Sequence, residues 1–162
     1  RLTALHILVT QYQRAKTDRT REELFDFYLS AAMRGRINNW DLIDTSAPKM
    51  GAWLVKKPRK TVILNLARSE KLWERRLAMM FSFANIAVHD FGVPQHIEMV
   101  LLHDKHDLIH KAVGWGLREI GNRDIEVLRA FLAKYHKEMP RTMLRYAIEK
   151  MDAAERATWM AR

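Results

Sequence analysis

The sequence predicts an all-α fold, and three observations support this prediction. Signals for helix starts and ends recur along the whole chain, strand-type alternation is almost absent, and only 6 Gly and 4 Pro occur among 162 residues. Most of these Gly and Pro residues stand where one helix is expected to end and another to begin. Apolar residues make up 48% of the chain, so we expect one domain over residues 1–162 with one continuous core.

The first helical pattern begins with the first residues of the sequence. Leu2, Leu5, Leu8 and Val9 already follow helical spacing. Because neither an initiator Met nor a capping residue precedes them, we expect the sequence to be the C-terminal portion of a longer chain.

Start and stop signals predict the later helices, about nine short ones in total. In chain order they are a capping box of Thr20 and Glu23 for a helix to Met33, Asn39 for a helix from Trp40, Pro48 for the next turn, Pro58 for a helix through Leu66, Ser69 for a long helix through Ala87, Pro94 for a helix to His103, Asp107 for a helix that Gly121 ends, Asp124 for a helix through Tyr135, Pro140 for a helix through Lys150, and a weaker final helix from Ala153.

A tryptophan recurs in every second predicted helix, at Trp40, Trp73 and Trp115. Paired helices that repeat at roughly 40 residues are typical of HEAT-like solenoids. An unrelated helical bundle can produce similar spacing by chance, so the repeat pattern alone leaves both architectures open.

The positive charge is concentrated in one segment. Eight cations and two acids between Lys56 and Arg76 give this segment a formal charge of +6, against +9 for the whole chain. A local cationic patch favours a polyanionic partner, nucleic acid first and an anionic membrane surface second. The alternative is a solvated loop and helix face.

Composition excludes several classes of protein. The chain has no Cys, which excludes disulfide scaffolds, thiol nucleophiles and zinc sites built on cysteine. No apolar run approaches the ~20 residues of a membrane span, and no signal peptide is recognisable. We therefore expect a soluble, intracellular, basic domain. We also expect it to be cytoplasmic, nucleoid-associated and monomeric.

Trp40 and Asp44 are spaced by four residues and should share one face of a helix. An aromatic ring and a carboxylate on one face can together stabilise a cation. The alternative is that Trp40 fills core and the nearby acids neutralise a helix start, which suits Asp41 in the first turn better than Asp44.

Two further positions are candidates for a functional cleft. Arg76 lies at the margin of an apolar helix face, where it either extends along the surface or points into a cleft and binds phosphate. Gly114 and Gly116 flank Trp115 inside a predicted helix. Because each glycine costs roughly 1 kcal/mol there, we expect either close helix packing or close approach of a ligand to the indole ring.

A metal site is not expected, although acids and histidines cluster between His103 and His110. Their spacing matches no specific metal motif, and several of them are placed to cap helices. No phosphate-binding Gly-rich loop or Ser-His-Asp arrangement is present either.

Four blocks of the sequence resemble the alkylpurine DNA glycosylases of the AlkD family. The blocks are Asn38–Pro48, Ala67–Arg76, Leu102–Trp115 and Met139–Glu149. They occur in order and with suitable spacing between Ile37 and Glu149. Members of that family carry further N-terminal helices, which agrees with the expectation of a longer chain.

The resemblance implies a right-handed solenoid of HEAT-like helical pairs whose concave, basic face binds duplex DNA. It also implies hydrolysis of the N-glycosidic bond of cationic N3- and N7-alkylated purines, without a metal or organic cofactor. Carried over residue by residue, the family's functional cleft corresponds to Trp40, Asp44, Arg76 and Trp115.

In this interpretation Asp44 stabilises an oxocarbenium-like transition state and positions water, with Trp40 and Trp115 beside it. Four cations are expected to contact DNA: Arg76, Lys111, Arg141 and Arg145. Two alternatives remain, a non-catalytic HEAT-like DNA-binding module and a helical protein-interaction scaffold.

Overall fold

The computed structural model describes residues 1–161, which form eleven helices and no strand. The helices are α1 (Leu2–Arg14), α2 (Asp18–Met33), α3 (Trp40–Met50), α4 (Ala52–Lys56), α5 (Lys60–Ala67), α6 (Leu72–Ala87), α7 (Gly92–Leu101), α8 (Asp107–Gly121), α9 (Ile125–Tyr135), α10 (Arg141–Ala147) and α11 (Ala153–Met160). The all-α prediction is therefore confirmed for this part of the chain.

Several predicted helix boundaries are confirmed by the contacts that make them. The Asn39 side chain accepts a hydrogen bond from the backbone N–H of Trp40, so α3 begins at the expected residue. The Asp124 carboxylate accepts from two backbone N–H groups at the start of α9. At the other end of a helix, Gly35 adopts a φ of 70° just after α2. This left-handed conformation closes the helix end and suits glycine.

Other boundaries differ from the prediction, and the structure gives the reasons. The cap of α2 is Thr17, whose hydroxyl accepts from Thr20 N–H, so the helix starts one turn before the predicted capping box. Pro48 lies inside α3 instead of opening a new turn. The His106 ring, not Asp107, caps α8 by accepting from the backbone N–H of Leu108. The helix after Pro140 ends at Ala147, three residues early.

Four helices form a continuous row in which each packs against the next: α3 against α6, α6 against α8, and α8 against α10. These are every second or third helix of the chain from α3 onwards. Helix α6 is central, because α5 and α7 also pack on it and on each other. Ten of the sixteen residues of α6 are buried for this reason.

The core begins where α2 packs on α6. Phe25 and Tyr28 are fully buried, and their ring centroids lie 5.7 and 6.0 Å from that of Phe81. Burying a large apolar side chain contributes ~1.5–3 kcal/mol, so these rings stabilise the packing of α2 against α6. Among residues 1–161 no helix is long and apolar enough to cross a membrane.

Candidate functional site

The Asp44 carboxylate of α3 and the Arg76 guanidinium of α6 form a bidentate ion pair. Nε of Arg76 donates to Oδ1 of Asp44 at 2.9 Å, and Nη2 donates to Oδ2 at 2.6 Å. The Arg76 side chain is only 6% exposed and that of Asp44 is 15% exposed. Such two-point pairs hold a carboxylate in one orientation.

Arg76 also ties this pair to a third helix. Its Nη1 donates to the backbone carbonyl of Leu108 at 2.5 Å, in the first turn of α8. One guanidinium therefore connects α3, α6 and α8. The predicted phosphate contact of Arg76 stays a prediction, and all three of its guanidinium nitrogens already donate to protein oxygens.

Trp40 lies one turn before Asp44 on α3. Its side chain is large and apolar, yet the residue is 54% exposed. The neighbouring Asp41 accepts from the backbone N–H of Leu42, which is the helix-start contact that its position suggests. Trp40 and Asp44 therefore share one face of α3. The Trp40 side chain is open to solvent, whereas the Asp44 carboxylate is bound by Arg76.

Near Asp44, Tyr28 and Ser46 form a chain of hydrogen bonds between uncharged groups. The Tyr28 hydroxyl lies 2.7 Å from Oγ of Ser46, which donates to the Leu42 carbonyl at 2.5 Å. Burial raises the pKa of Tyr28, and the nearby Asp44 charge raises it further. Tyr28 therefore stays neutral and adds no second negative charge near Asp44.

Trp115 lies on α8, two turns beyond Leu108, and is half-buried. Its ring packs edge-on against Phe83 of α6, with 4.9 Å between centroids, and its Nε1 donates to Glu119. Within residues 1–161 the indole rings of Trp40 and Trp115 make no contact with each other. The two rings lie on helices that Arg76 joins.

Close packing accounts for both glycines beside Trp115. A Cβ on Gly114 would lie 2.5 Å from the Met143 carbonyl and 2.5 Å from Cβ of Tyr146, both on α10. A Cβ on Gly116 would overlap the end of the Met79 side chain of α6. Gly114 therefore lets α10 approach α8, and Gly116 leaves room for the Met79 side chain, which is the packing explanation that the sequence left open.

Lys111, Arg141 and Arg145 lie on α8 and α10. Lys111 pairs with Asp107 at 2.7 Å, and this hydrogen bond raises the pKa of its ammonium. Tyr146 and Arg76 are also close enough to influence that pKa. Arg141 donates to the Met160 carbonyl, and Arg145 is exposed.

Most of the charge in the basic segment is balanced within the fold. Lys56 pairs with Asp18, and Arg59 pairs with both Glu22 and Asp26 of α2, acids that lie 33 to 38 residues earlier. Lys71, Arg75 and Arg76 are also in ion pairs. In the part of the chain that the structure describes, ion pairs are absent for Lys57, Lys60 and Arg68, all exposed. The segment therefore presents far less free charge than its composition suggests.

The acids and histidines between His103 and His110 have structural partners. Asp104 pairs with Arg75, with 2.6 Å between Oδ2 and Nε, and its backbone carbonyl contacts the His110 ring. His106 caps α8. No group of three or more His, Asp or Glu side chains within 1–161 is arranged to hold a metal ion.

The fold and this site define an all-helical protein that carries a buried Arg–Asp pair beside exposed aromatic and cationic side chains. The family model described as DNA alkylation repair enzyme matches residues 1–151. The chain therefore belongs to this family, which indicates a function in DNA repair and DNA as its partner. A comparison with curated proteins finds none that matches the chain.

Two features of the site were missed by the sequence analysis. The Leu108 carbonyl is a backbone group and leaves no signal in the sequence. Tyr146 is 36% exposed, on α10 next to Arg145. Its position in a block with two arginines was a signal that could have found it.

Proposed function

We propose that this protein is a DNA glycosylase that hydrolyses the N-glycosidic bond of cationic N3- and N7-alkylated purines in duplex DNA. The observation that carries the proposal is the Asp44 carboxylate, fixed by Arg76 and set one turn from the exposed ring of Trp40. Membership of the DNA alkylation repair family supports the same reading.

The proposed reaction needs no group other than water. Alkylation at N3 or N7 makes the purine cationic, so the base leaves with the electron pair of the C1′–N9 bond. Positive charge then develops on the deoxyribose, and water adds to C1′ and loses a proton. The products are a free alkylpurine and an abasic site.

Asp44 suits this reaction because it is oriented by a paired guanidinium and is still able to accept further hydrogen bonds. Each of its oxygens accepts one N–H of Arg76, while a carboxylate offers about four acceptor positions. A positioned water can therefore donate to a free position. Preorganised charge of this kind stabilises a developing cation without reorganising at the moment of reaction.

The magnitude follows from Coulomb's law. A carboxylate ~4 Å from a unit positive charge gains about 4 kcal/mol at an effective dielectric constant near 20. The alkylated purine is already cationic in the ground state, so only the gain from moving the charge toward Asp44 accelerates the reaction. The Arg76 charge offsets part of the attraction, which makes ~2–3 kcal/mol a reasonable net effect.

Trp40 and Trp115 add π-surfaces for the cationic base and the sugar, each contributing about 0.5–2 kcal/mol. Arg76 is a positioning residue for Asp44. Lys111, Arg141 and Arg145 bind phosphates on the same side. We further infer that the row α3, α6, α8 and α10 is the concave face of a right-handed, HEAT-like solenoid, a role that its sequential packing supports.

The decisive experiment incubates the protein with methylated duplex DNA and measures free 7-methylguanine by chromatography. The proposal expects release above the spontaneous rate and DNA binding that weakens steeply with salt. Binding without release would favour the non-catalytic DNA-binding module. Neither binding nor release would favour a protein-interaction scaffold and overturn the proposal.

A further inference from the structure

Beyond the candidate site, α10 carries a depression of about 460 Å³ lined by Thr142, Arg145, Tyr146 and Glu149. We propose that this α10 depression is a nucleotide-binding subsite, in which the Tyr146 ring contacts the sugar or base of a nucleotide and Arg145 contacts its phosphate. This rests on the DNA-binding part of the proposed function, not on its chemistry.

The position of Tyr146 is fixed by close packing against α8. Gly114 leaves room for the Tyr146 Cβ, because any side chain at Gly114 would overlap it. Tyr146 therefore packs against α8, the helix whose Leu108 carbonyl accepts from Arg76. The pKa of the Lys111 ammonium, on the same helix, is raised mainly by its hydrogen bond to Asp107 and also by Tyr146.

The acids around the depression already have partners. Asp107 is hydrogen-bonded to Lys111 and to Thr142, and these bonds lower its pKa. Glu149 forms an ion pair with Arg118. The side chains left for a ligand belong to Tyr146, a residue that is 36% exposed, and to Arg145, which is also exposed.

An aromatic face next to a cation is the combination that binds nucleotide units of a strand. Base–aromatic stacking and cationic contacts to the backbone recur together in proteins that bind nucleic acid. A fully paired duplex offers the ring only a sugar, whereas a duplex with an unpaired base also offers that base. The ligand chemistry is the same nucleotide unit in both cases.

The experiment measures the dissociation constants of Tyr146→Ala, Tyr146→Phe and Arg145→Ala at two salt concentrations. Two unmethylated duplexes serve as ligands, one fully paired and one with a stable abasic-site analogue that leaves the opposite base unpaired. Phe27→Ala is the matched control, because Phe27 is an exposed aromatic residue, 59% accessible, on α2.

Tyr146→Ala should weaken binding about 5- to 150-fold without changing the salt dependence, because no phosphate contact is lost. Tyr146→Phe should bind as wild type, and Arg145→Ala should lower the salt slope by about one. A loss with both duplexes identifies the sugar, and a loss with the unpaired duplex alone identifies the base.

Wild-type binding of both duplexes by Tyr146→Ala, or an equal loss in Phe27→Ala, would overturn the subsite. The test of the subsite measures DNA binding and does not depend on base release. A wild-type protein that binds DNA through Tyr146 but releases no base would therefore leave the subsite standing and refute the glycosylase proposal.

Discussion

Replacing Asp44 by Asn is the sharpest test of the proposed chemistry, because it removes the charge and keeps the shape. The amide oxygen can still accept one N–H of Arg76, whereas the amide NH₂ faces the second one. The variant therefore loses both the attraction for a developing cation and half of a buried ion pair.

The two losses have different sizes and different readouts. The loss of ~2–3 kcal/mol of transition-state stabilisation corresponds to a rate about 30- to 150-fold lower. Breaking a buried ion pair by removing one partner costs roughly 3–5 kcal/mol, and the remaining amide contact reduces this cost. A domain stable by about 5–15 kcal/mol stays folded.

Helix α6 provides a matched control for the lost ion pair. Arg75 donates from Nε and Nη2 to Asp104, at 2.6 and 3.4 Å, next to Arg76 but outside the candidate site. Asp104 is as well buried as Arg76, with a side chain 6% exposed. Asp104→Asn should therefore lower the thermal midpoint about as much as Asp44→Asn and leave the rate of base release unchanged.

The assay combines single-turnover release of 7-methylguanine with thermal unfolding and duplex binding for both variants. Asp44→Asn should bind DNA like the wild type and release base much more slowly. Equal rates for the two variants, or wild-type release by Asp44→Asn, would refute the assignment of Asp44.

Three further predictions concern Arg76, Trp40 and the buried Glu98 of α7. Arg76→Lys keeps the charge but loses the two-point contact with Asp44, so single-turnover base release should slow at least tenfold while the salt dependence of DNA binding stays unchanged. The control Arg75→Lys should change neither the release rate nor the salt dependence. A weaker salt dependence for Arg76→Lys alone would instead indicate a phosphate contact. Trp40→Ala should slow base release about 2- to 30-fold. The midpoint of thermal unfolding should change little, because Trp40 is mostly exposed. A large drop in that midpoint would show that Trp40 supports the fold. Glu98 is fully buried, neither of its carboxylate oxygens has a hydrogen-bond partner within residues 1–161, and burial raises its pKa well above 4.5. Between 4.5 and the raised pKa this carboxyl is deprotonated in the unfolded chain and protonated in the folded one, so with rising pH the wild type should lose up to ~1.4 kcal/mol of stability per pH unit relative to Glu98→Gln. Urea unfolding of both proteins at pH 5 and pH 8 tests this, and a stability difference that does not change with pH would contradict it.

Local chemistry made the helices predictable. Asn39 and Asp124 cap the expected helices because a cap contact joins residues only one to three positions apart. The same short range explains the errors. Thr17 displaced the predicted box at Thr20, and His106 displaced Asp107, because neighbouring side chains compete for the same backbone N–H groups.

The free charge of the basic segment was not predictable. Its formal charge is +6, but Arg59 and Lys56 are paired with acids of α2 more than thirty residues away. Ion pairs between helices depend on which faces meet, and a sequence read in one dimension does not contain that information. Arg76 illustrates the point, because its contacts with Asp44 of α3 and Leu108 of α8 each span 32 positions of the sequence.

The sequence by itself determined the helical class, most helix starts and the residue types that a cation-stabilising cleft requires, since these depend on contacts within one turn and on side-chain chemistry. Only the tertiary structure decided that Asp44 is held by Arg76, that Gly114 of α8 admits α10, and that Tyr146 packs against α8. Each of these depends on the packing of helices that are distant in the chain, and packing is set by the whole core.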